Sequence, residues 1–474
     1  MELASAFSRV AATTLAPRET GAGWSTDATP GFLTAVLIWL LLGLMIVPEG
    51  FDYAALSTGA MPEQGSTLSR LLWLALLGGG ALCVLWRARL AVALLRWFNP
   101  WLLLFAVIAA ASLAWSIAPS VTARRMVRVA TILLDALALV LLAWHARRFQ
   151  SVLRPAITAV LAGSLVFGLL WPQLAIHQEA SPELAGAWRG LANHKNTLGT
   201  LATFGVLLWT HAALGREVRW WTALPGIAAA ASCLVLSRSS TSLMTAVFVV
   251  GFLLLMRASS SRMKPWLPWL AGAFVLCLLA YTLAILRIVP GAGVLLQPVV
   301  LLTGKDLSFT GRADLWAIVI EHIRLHPVLG TGYGAYWTGP QPGSAAYAFL
   351  ERLSFYPGSA HNGYLDVVND LGALGLLCLV GYIATWLRQA LRLLAIDEWQ
   401  AVLFLAILLQ QGLSNLSESH WLATLSCSFV LSTLATAALA RALLECWLQA
   451  CFAGGADLPD TPGPDARDGG AHVR

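Results

Sequence analysis

The chain is poor in charge. Only 11% of its 474 residues are Asp, Glu, Lys or Arg, and 58% are hydrophobic, whereas a soluble chain is about a quarter charged. That argues against a string of soluble domains. The seven cysteines (Cys83, Cys233, Cys277, Cys378, Cys427, Cys446 and Cys451) are scattered, mostly inside apolar runs. No CxxC or Cys/His ligand spacing occurs, so neither a zinc site nor a disulfide framework is indicated. Walker, GxGxxG and HExxH patterns are also missing, which removes the obvious nucleotide and metalloprotease readings and argues against an ATP-driven pump. There is no internal repeat. The first 30 residues contain Pro17, Gly21, Gly23 and Pro30 and lack an apolar core, unlike a cleavable signal peptide. The net charge of +6 calls for no nucleic-acid partner, because basic residues beside membrane helices set orientation.

What the chain does have is apolar sequence. Runs fall at roughly 31–48, 71–86, 101–117, 126–144, 155–171, 196–214, 220–237, 242–256, 266–288, 371–387, 399–414 and 421–446. Together they predict an all-α polytopic integral membrane protein of about twelve transmembrane helices, in which the bundle is the domain. Val289 to Leu302 contains Pro290, Gly291 and Pro298 and reads as an interfacial or re-entrant piece. The expected organisation is a cytoplasmic segment over 1–30, nine helices over 31–287, a long periplasmic loop over 288–370, three helices over 371–450, and a cytoplasmic tail over 451–474. The tail's Gly, Asp and Pro content predicts disorder.

Loop charge gives the orientation. Alternate short loops carry Arg87/Arg89/Arg96, Arg147/Arg148/Arg154, Arg216/Arg219, Arg257/Arg262/Lys264 and Arg388/Arg392, as cytoplasmic loops should. The opposite loops include the Glu49/Asp52/Glu63 and Glu179/Glu183 segments. Both termini are then cytoplasmic, and the Arg124/Arg125/Arg128 cluster is an exception on the outer side.

Five polar groups share that outer side under this topology. They are Trp188 to Asn196 (WRGLANHKN), Ser237 to Ser242 (SRSSTS), the Arg312 motif, the His361 motif, and Ser414 to His420 (SNLSESH). Ionisable groups at membrane helix ends are costly and mark substrate paths, so the five predict a polar cavity opening outward. Each also has a plainer reading. Arg189, Lys195 and Arg238 serve equally as snorkelling anchors at helix ends. Arg312 and Asp314 make an ordinary helix-start charge pair. His361-Asn362 after Pro357-Gly358 makes a turn with a helix cap, and Glu418 a residue flanking a span. Gly330-Thr331-Gly332-Tyr333-Gly334 invites a phosphate-loop reading, but no Lys-Ser/Thr follows it. A tight, close-approach loop fits better.

These stretches together resemble a known group. Gly311-Arg312-x-x-Leu315-Trp316, His326 to Gly334 (HPVLGTGYG) and His361-Asn362-Gly363-Tyr364-Leu365 resemble the O-antigen ligase/polysaccharide polymerase superfamily. Arg189-Gly190-x-x-x-His194-Lys195-Asn196-Thr197-Leu198-Gly199 and Asn415-Leu416-Ser417-Glu418-Ser419 are similar to its exopolysaccharide polymerase branch, of the succinoglycan type. The resemblance covers roughly residues 180–430. It implies a bacterial inner-membrane glycosyltransferase with a C-type fold, needing no metal or cofactor. The implied substrate is a polyprenyl-diphosphate-linked oligosaccharide at the periplasmic face. A chain-length regulator and a flippase of the same pathway are the implied partners, besides the lipid bilayer. One departure stands out. Relatives often carry a basic residue immediately before the Thr-Ser/Ala-Leu of the Ser-rich stretch; here that position is Ser240 and the nearest cation is Arg238.

The chemistry suits the residues. Cleaving a sugar–diphosphate bond builds negative charge on the leaving group, and fixed cations in a low-dielectric site lower that barrier. Arg binds phosphate oxygens bidentately and stays charged. A sugar hydroxyl is a poor nucleophile and benefits from a base such as His. The expected assignment gives Arg312 the diphosphate, with Arg189, Lys195 or Arg238 assisting. His361 is the base or acceptor-orienting group, and Asn362 holds the turn. Asp314, His194, Asn196 and Glu418 support them. The alternatives are an O-antigen ligase, with the same donor and a lipid A core acceptor, and a polysaccharide or lipid-linked sugar transporter.

Overall fold

The structure, a computed structural model, describes residues 28–48, 52–53, 67–142, 148–179, 184–285, 312–339 and 341–453. The segment before residue 28, Glu49, Glu63, Glu183, the Val289–Leu302 piece, Gly311 and the tail beyond 453 lie outside them. Among the described residues there are helices and a single isolated bridge, Ile176 to Trp188. In chain order the helices are α1 (Ala28–Ile46), α2 (Thr67–Trp86), α3 (Ala88–Leu95), α4 (Pro100–Ala111), α5 (Pro119–Leu142), α6 (Arg148–Leu170) and the short α7 (Pro172–Ala175). There follow α8 (Lys195–Leu214), α9 (Trp220–Leu236), α10 (Ser240–Ala258) and α11 (Leu267–Ile285). After them come α12 (Arg312–Leu325), α13 (Tyr347–Leu353), α14 (Gly363–Leu394), α15 (Glu398–Ser414) and α16 (Cys427–Ala453).

Every apolar run coincides with a helix, because a lipid-facing backbone must satisfy its own hydrogen bonds. Among the described residues six helices are long and apolar enough to cross a membrane, and α3 with α4, bent by 103° at their break, make a seventh span if counted as one. Helix α16 differs from the rest. Its residues from Cys427 to Leu444, including Ser432, Thr433 and Thr436, are all buried, as expected of a helix hydrophobic all round that forms the centre of a bundle.

The described polar loops lie at the two ends of the bundle. At one end Lys264 pairs with Glu398 at 2.6 Å, Arg154 with Glu217 at 2.9 Å, and Gln389 donates to Trp97 O at 2.6 Å. The end of α1 lies at the opposite end, where Ile46 O accepts from Asn193 N. The start of α1 is therefore at the basic end, and α16 reaches that end too, with Trp447 against Trp97. At the other end the loops before α8, α10, α14 and α16 and the start of α12 come together.

A backbone-to-backbone junction builds that second end. Gly372 has φ 59 and ψ −148 inside α14, which breaks the helical ladder there. The freed amides of Ala373 and Leu374 donate to Pro327 O and Val328 O at 2.9 and 3.3 Å, and Gly332 N donates to Asp370 O at 3.0 Å. The glycine-rich run is thus a close-approach loop that completes the broken ladder. A Cβ on Gly372 would run into the Val328 carbonyl, whereas one on Gly251 in α10 would meet nothing within 4 Å. Gly372→Ala is expected to lower the thermal unfolding midpoint in detergent markedly, since the backbone strain alone costs about 1–3 kcal/mol. Gly251→Ala should leave it level or raise it. Equal midpoints for the two variants would contradict the junction.

Candidate active site

All five polar groups meet at one dipeptide, Ser417–Glu418, in the connection from α15 to α16. Arg312 Nη1 donates to Ser417 O at 2.9 Å, and its Nη2 lies 3.9 Å from Glu418 Oε1. Asn196 Nδ2 donates to the same Oε1 at 2.6 Å. His361 Nδ1 faces the other carboxylate oxygen, Oε2, at 3.7 Å. The Thr241 and Ser417 hydroxyls share a hydrogen bond of 2.7 Å, which ties in the Ser-rich stretch. Asn415 shapes the connection: its Oδ1 accepts from His420 N and Trp421 N, and its Nδ2 donates to Gln411 O.

Glu418 is nearly buried, and its charge is sustained by neighbours. Burial alone would raise its carboxyl, but His361, His420 and Arg312 together hold it below the usual carboxylate range. The carboxylate therefore stays ionised, with the Arg312 guanidinium toward one oxygen and the His361 ring toward the other. Arg312, His361 and Asn196 all face this one carboxylate.

The His361 turn is fixed from several directions. Asn362 caps α14, accepting from Tyr364 N and Leu365 N at 3.1 and 3.2 Å, so its plainer reading as a helix cap holds. Asp366, one turn on, accepts from Ala360 N, and Trp316 of α12 donates to Ala360 O at 2.7 Å. His361 itself has φ 48, a left-handed conformation that costs a non-glycine residue of order 1–3 kcal/mol and clusters at functional sites. The surrounding bonds hold it there.

The segment before α8 forms a second polar cluster that abuts the first. His177 Nε2 accepts from Lys195 N at 3.1 Å, so Nδ1 carries the proton and donates to Glu179 at 3.0 Å. Arg189 is buried, with Nε donating to Leu174 O at 2.8 Å and Nη1 3.9 Å from Glu179. Arg238 donates to Ala185 O at 3.0 Å. These two arginines hold the 172–190 segment, and neither is in the contact set of Glu418 that includes Arg312. Lys195 opens α8 next to Asn196, and Asp314 is exposed in the first turn of α12, where its charge suits a helix start.

His194 caps α8 through Nδ1, which accepts from Asn196 N at 3.2 Å, and it lies within electrostatic reach of Glu418 and His361. Burial first, then His177, lowers its pKa from 6.5 to about 4. Protonation would also remove the cap and put a cation at a helix N-terminus. Between pH 6.5 and about 4 the unfolded chain takes this proton and the folded chain does not, so stability falls as pH falls. His194→Asn keeps a capping oxygen and should flatten the fall in unfolding midpoint across that window. Parallel curves for wild type and variant would contradict the assignment.

Sequence reasoning missed three partners. Arg125 of α5 lies against Gly334, where an added Cβ would meet its side chain. This places the cluster that broke the loop-charge rule at the same end as His361. Asp366 and Asp370 sit in the first turns of α14, beside the motif. The charge exception was the available signal for Arg125; for the two aspartates it was only their proximity to His361-Asn362. Among the described residues no group of three His, Cys, Asp or Glu is placed to hold a metal ion.

Comparison with known proteins gives two findings. A family model described as O-antigen ligase matches residues 225–380, a stretch that contains Arg238, Arg312 and His361. The chain is also 30% identical over 314 residues to the exopolysaccharide production protein ExoQ of Rhizobium meliloti strain 1021, covering 63% of this chain and 67% of that protein.

Proposed function

The chain belongs to the O-antigen ligase family, and from that premise we propose that it polymerises polyprenyl-diphosphate-linked oligosaccharide repeat units into exopolysaccharide. The observation that carries the reading is the convergence of Arg312, His361 and Asn196 on the Glu418 carboxylate. The site sits at the end of the bundle opposite the basic loops. By the loop-charge rule the basic end and both termini are cytoplasmic, so the site opens to the periplasm of the inner membrane.

The geometry supports the following step. An acceptor sugar hydroxyl attacks the anomeric carbon of the donor glycan. A new C–O bond forms there as the bond to the diphosphate oxygen breaks, and the lipid diphosphate leaves with the electron pair. Arg312 meets that developing charge through the fork not used by Ser417 O. His361 takes the hydroxyl proton on Nε2 while Nδ1–H faces Glu418, whose carboxylate stabilises the imidazolium as it forms. Attack from the face opposite the diphosphate inverts the anomeric centre. Lys195 is the nearest further cation on α8; Arg189 and Arg238 shape the wall. The diphosphate bond supplies the driving force, so the reaction needs no nucleotide, and Arg312 supplies the charge neutralisation on the leaving diphosphate.

The family description favours one second reading, transfer of the glycan to lipid A core. Analysis of lipid-linked glycans in a strain lacking the protein separates the two. Polymerase predicts single repeat units accumulating on polyprenyl diphosphate at the outer face. Long polymer on the lipid means ligase, and repeat units held at the inner face mean a transporter.

A further inference from the structure

A cavity of about 120 Å³ adjoins the His361–Glu418 pair, many times the ~10–15 Å³ that one water needs. Its walls carry Arg125 from α5, Asp366 and Asp370 from α14, Trp337 from the loop before α13, and Ser419 and Trp421 from the α15–α16 connection. Ser359 and Ser419 at its edge are the hinges of the pair: Ser359 Oγ accepts from His361 N and Ser419 Oγ accepts from Asn362 N.

The polar groups of this cavity are only partly used. Asp370 Oδ2 accepts from Gly334 N at 2.8 Å, while its Oδ1 is buried without a partner. Asp366 accepts from Trp337 Nε1 at 2.8 Å and from Ala360 N, leaving lone pairs over. The unpartnered Asp370 oxygen and the spare Asp366 lone pairs are acceptors, so a ligand that satisfies them donates. Two carboxylates repel an anion, and Arg125 in the same wall opposes a cation. What remains is a neutral molecule rich in hydroxyls, with apolar C–H faces to lie on the aromatic walls. That describes a sugar.

Resting on the polymerase reading, we propose that this cavity is the acceptor subsite, holding the terminal sugar of the incoming repeat unit with its reacting hydroxyl toward His361. The sides of Glu418 decide acceptor over donor. Oε1 faces Arg312, where the donor diphosphate belongs, and Oε2 faces His361, whose turn forms the cavity edge. The cavity also gives a reason for the outer arginine: Arg125 is there to donate to the acceptor sugar.

The test uses the full-length protein in membranes from a deletion strain, with the cell's own lipid-linked repeat unit added over a concentration range and polymer as the readout. Asp370→Asn retains an acceptor for Gly334 N and replaces the free carboxylate oxygen. Leu425→Trp adds bulk at the cavity edge at a residue that is not itself among the Glu418 contacts. Both are expected to raise the half-saturating repeat-unit concentration by roughly tenfold or more, the worth of one charged hydrogen bond, with rates converging on wild type at saturation. If one variant fails to fold, the other carries the test. Unchanged half-saturation in both, with polymer lost in Arg312→Ala, overturns the subsite and leaves the polymerase reading standing. Normal polymer from Arg312→Ala overturns that reading, and the subsite with it.

Discussion

Arg312→Ala is expected to cut polymer made at matched protein level by about a hundredfold to a thousandfold, the range seen when one donor to a developing oxyanion is removed. The reasoning rests on where the guanidinium is held. Ser417 O takes one arm and Glu418 the other side at 3.9 Å, so the cation is fixed before substrate arrives and needs no reorganisation in the transition state. Arg312→Lys keeps the charge but cannot both bond Ser417 O and fork onto a diphosphate. It should recover part of the loss, giving an intermediate rate. Quantifying cell-surface polymer against tagged protein checks both. Normal long-chain polymer from Arg312→Ala would remove Arg312 from the mechanism.

Glu418→Gln should be at least as damaging. The amide preserves an acceptor for Asn196 Nδ2 and the shape of the α15–α16 connection, but it removes the charge that faces His361 and Arg312. Losing the carboxylate behind a catalytic histidine costs up to about 10⁴ in rate, and proton transfer itself contributes about 10²–10⁴. His361→Ala is expected to fall in the same range. The combined variant should be little worse than either alone, because residues acting as a unit are grossly non-additive. Independent, multiplying losses would mean that Glu418 and His361 do different jobs. The pH dependence gives a cross-check. A carboxyl held below its ordinary 4.5 keeps its contribution above that value and loses it only as pH falls further. An acid limb of activity with a midpoint above 4.5 therefore belongs to another group.

Much of this was legible in the sequence, and the physics says why. Lipid forces continuous apolar segments into helices, so every apolar run marks one; the six that stand alone as spans among the described residues are those long enough and with a sufficiently apolar, charge-poor stretch. The five polar groups were legible as a set because charge at membrane helix ends is rare. Their meeting point was not. Glu418 reads as a residue flanking a span, and only the Asn415-organised connection turns it toward Arg312 and His361. Gly372 is one glycine in an apolar helix pattern, where a kink and a neutral helical glycine look alike. Its partner strand of backbone, Pro327 to Gly332, lies some forty residues earlier in the chain. The sequence makes Arg189 a candidate for the diphosphate, while its burial against Leu174 O and Glu179 depends on how residues 172–179 and 184–190 pack together, which no local pattern encodes. Asp366 and Asp370 were hidden for the same reason: in a helix that begins at a polar loop, acidic first turns are ordinary.

The central claim is that this site joins lipid-linked repeat units by displacing a polyprenyl diphosphate without a metal. Its most direct test is the purified protein in liposomes, given only the polyprenyl-diphosphate-linked repeat unit in excess chelator. The account predicts polymer, one polyprenyl diphosphate released per linkage formed, and an inverted anomeric configuration at each new linkage. No polymer under chelation with activity restored by a divalent cation, or a retained configuration, would contradict it.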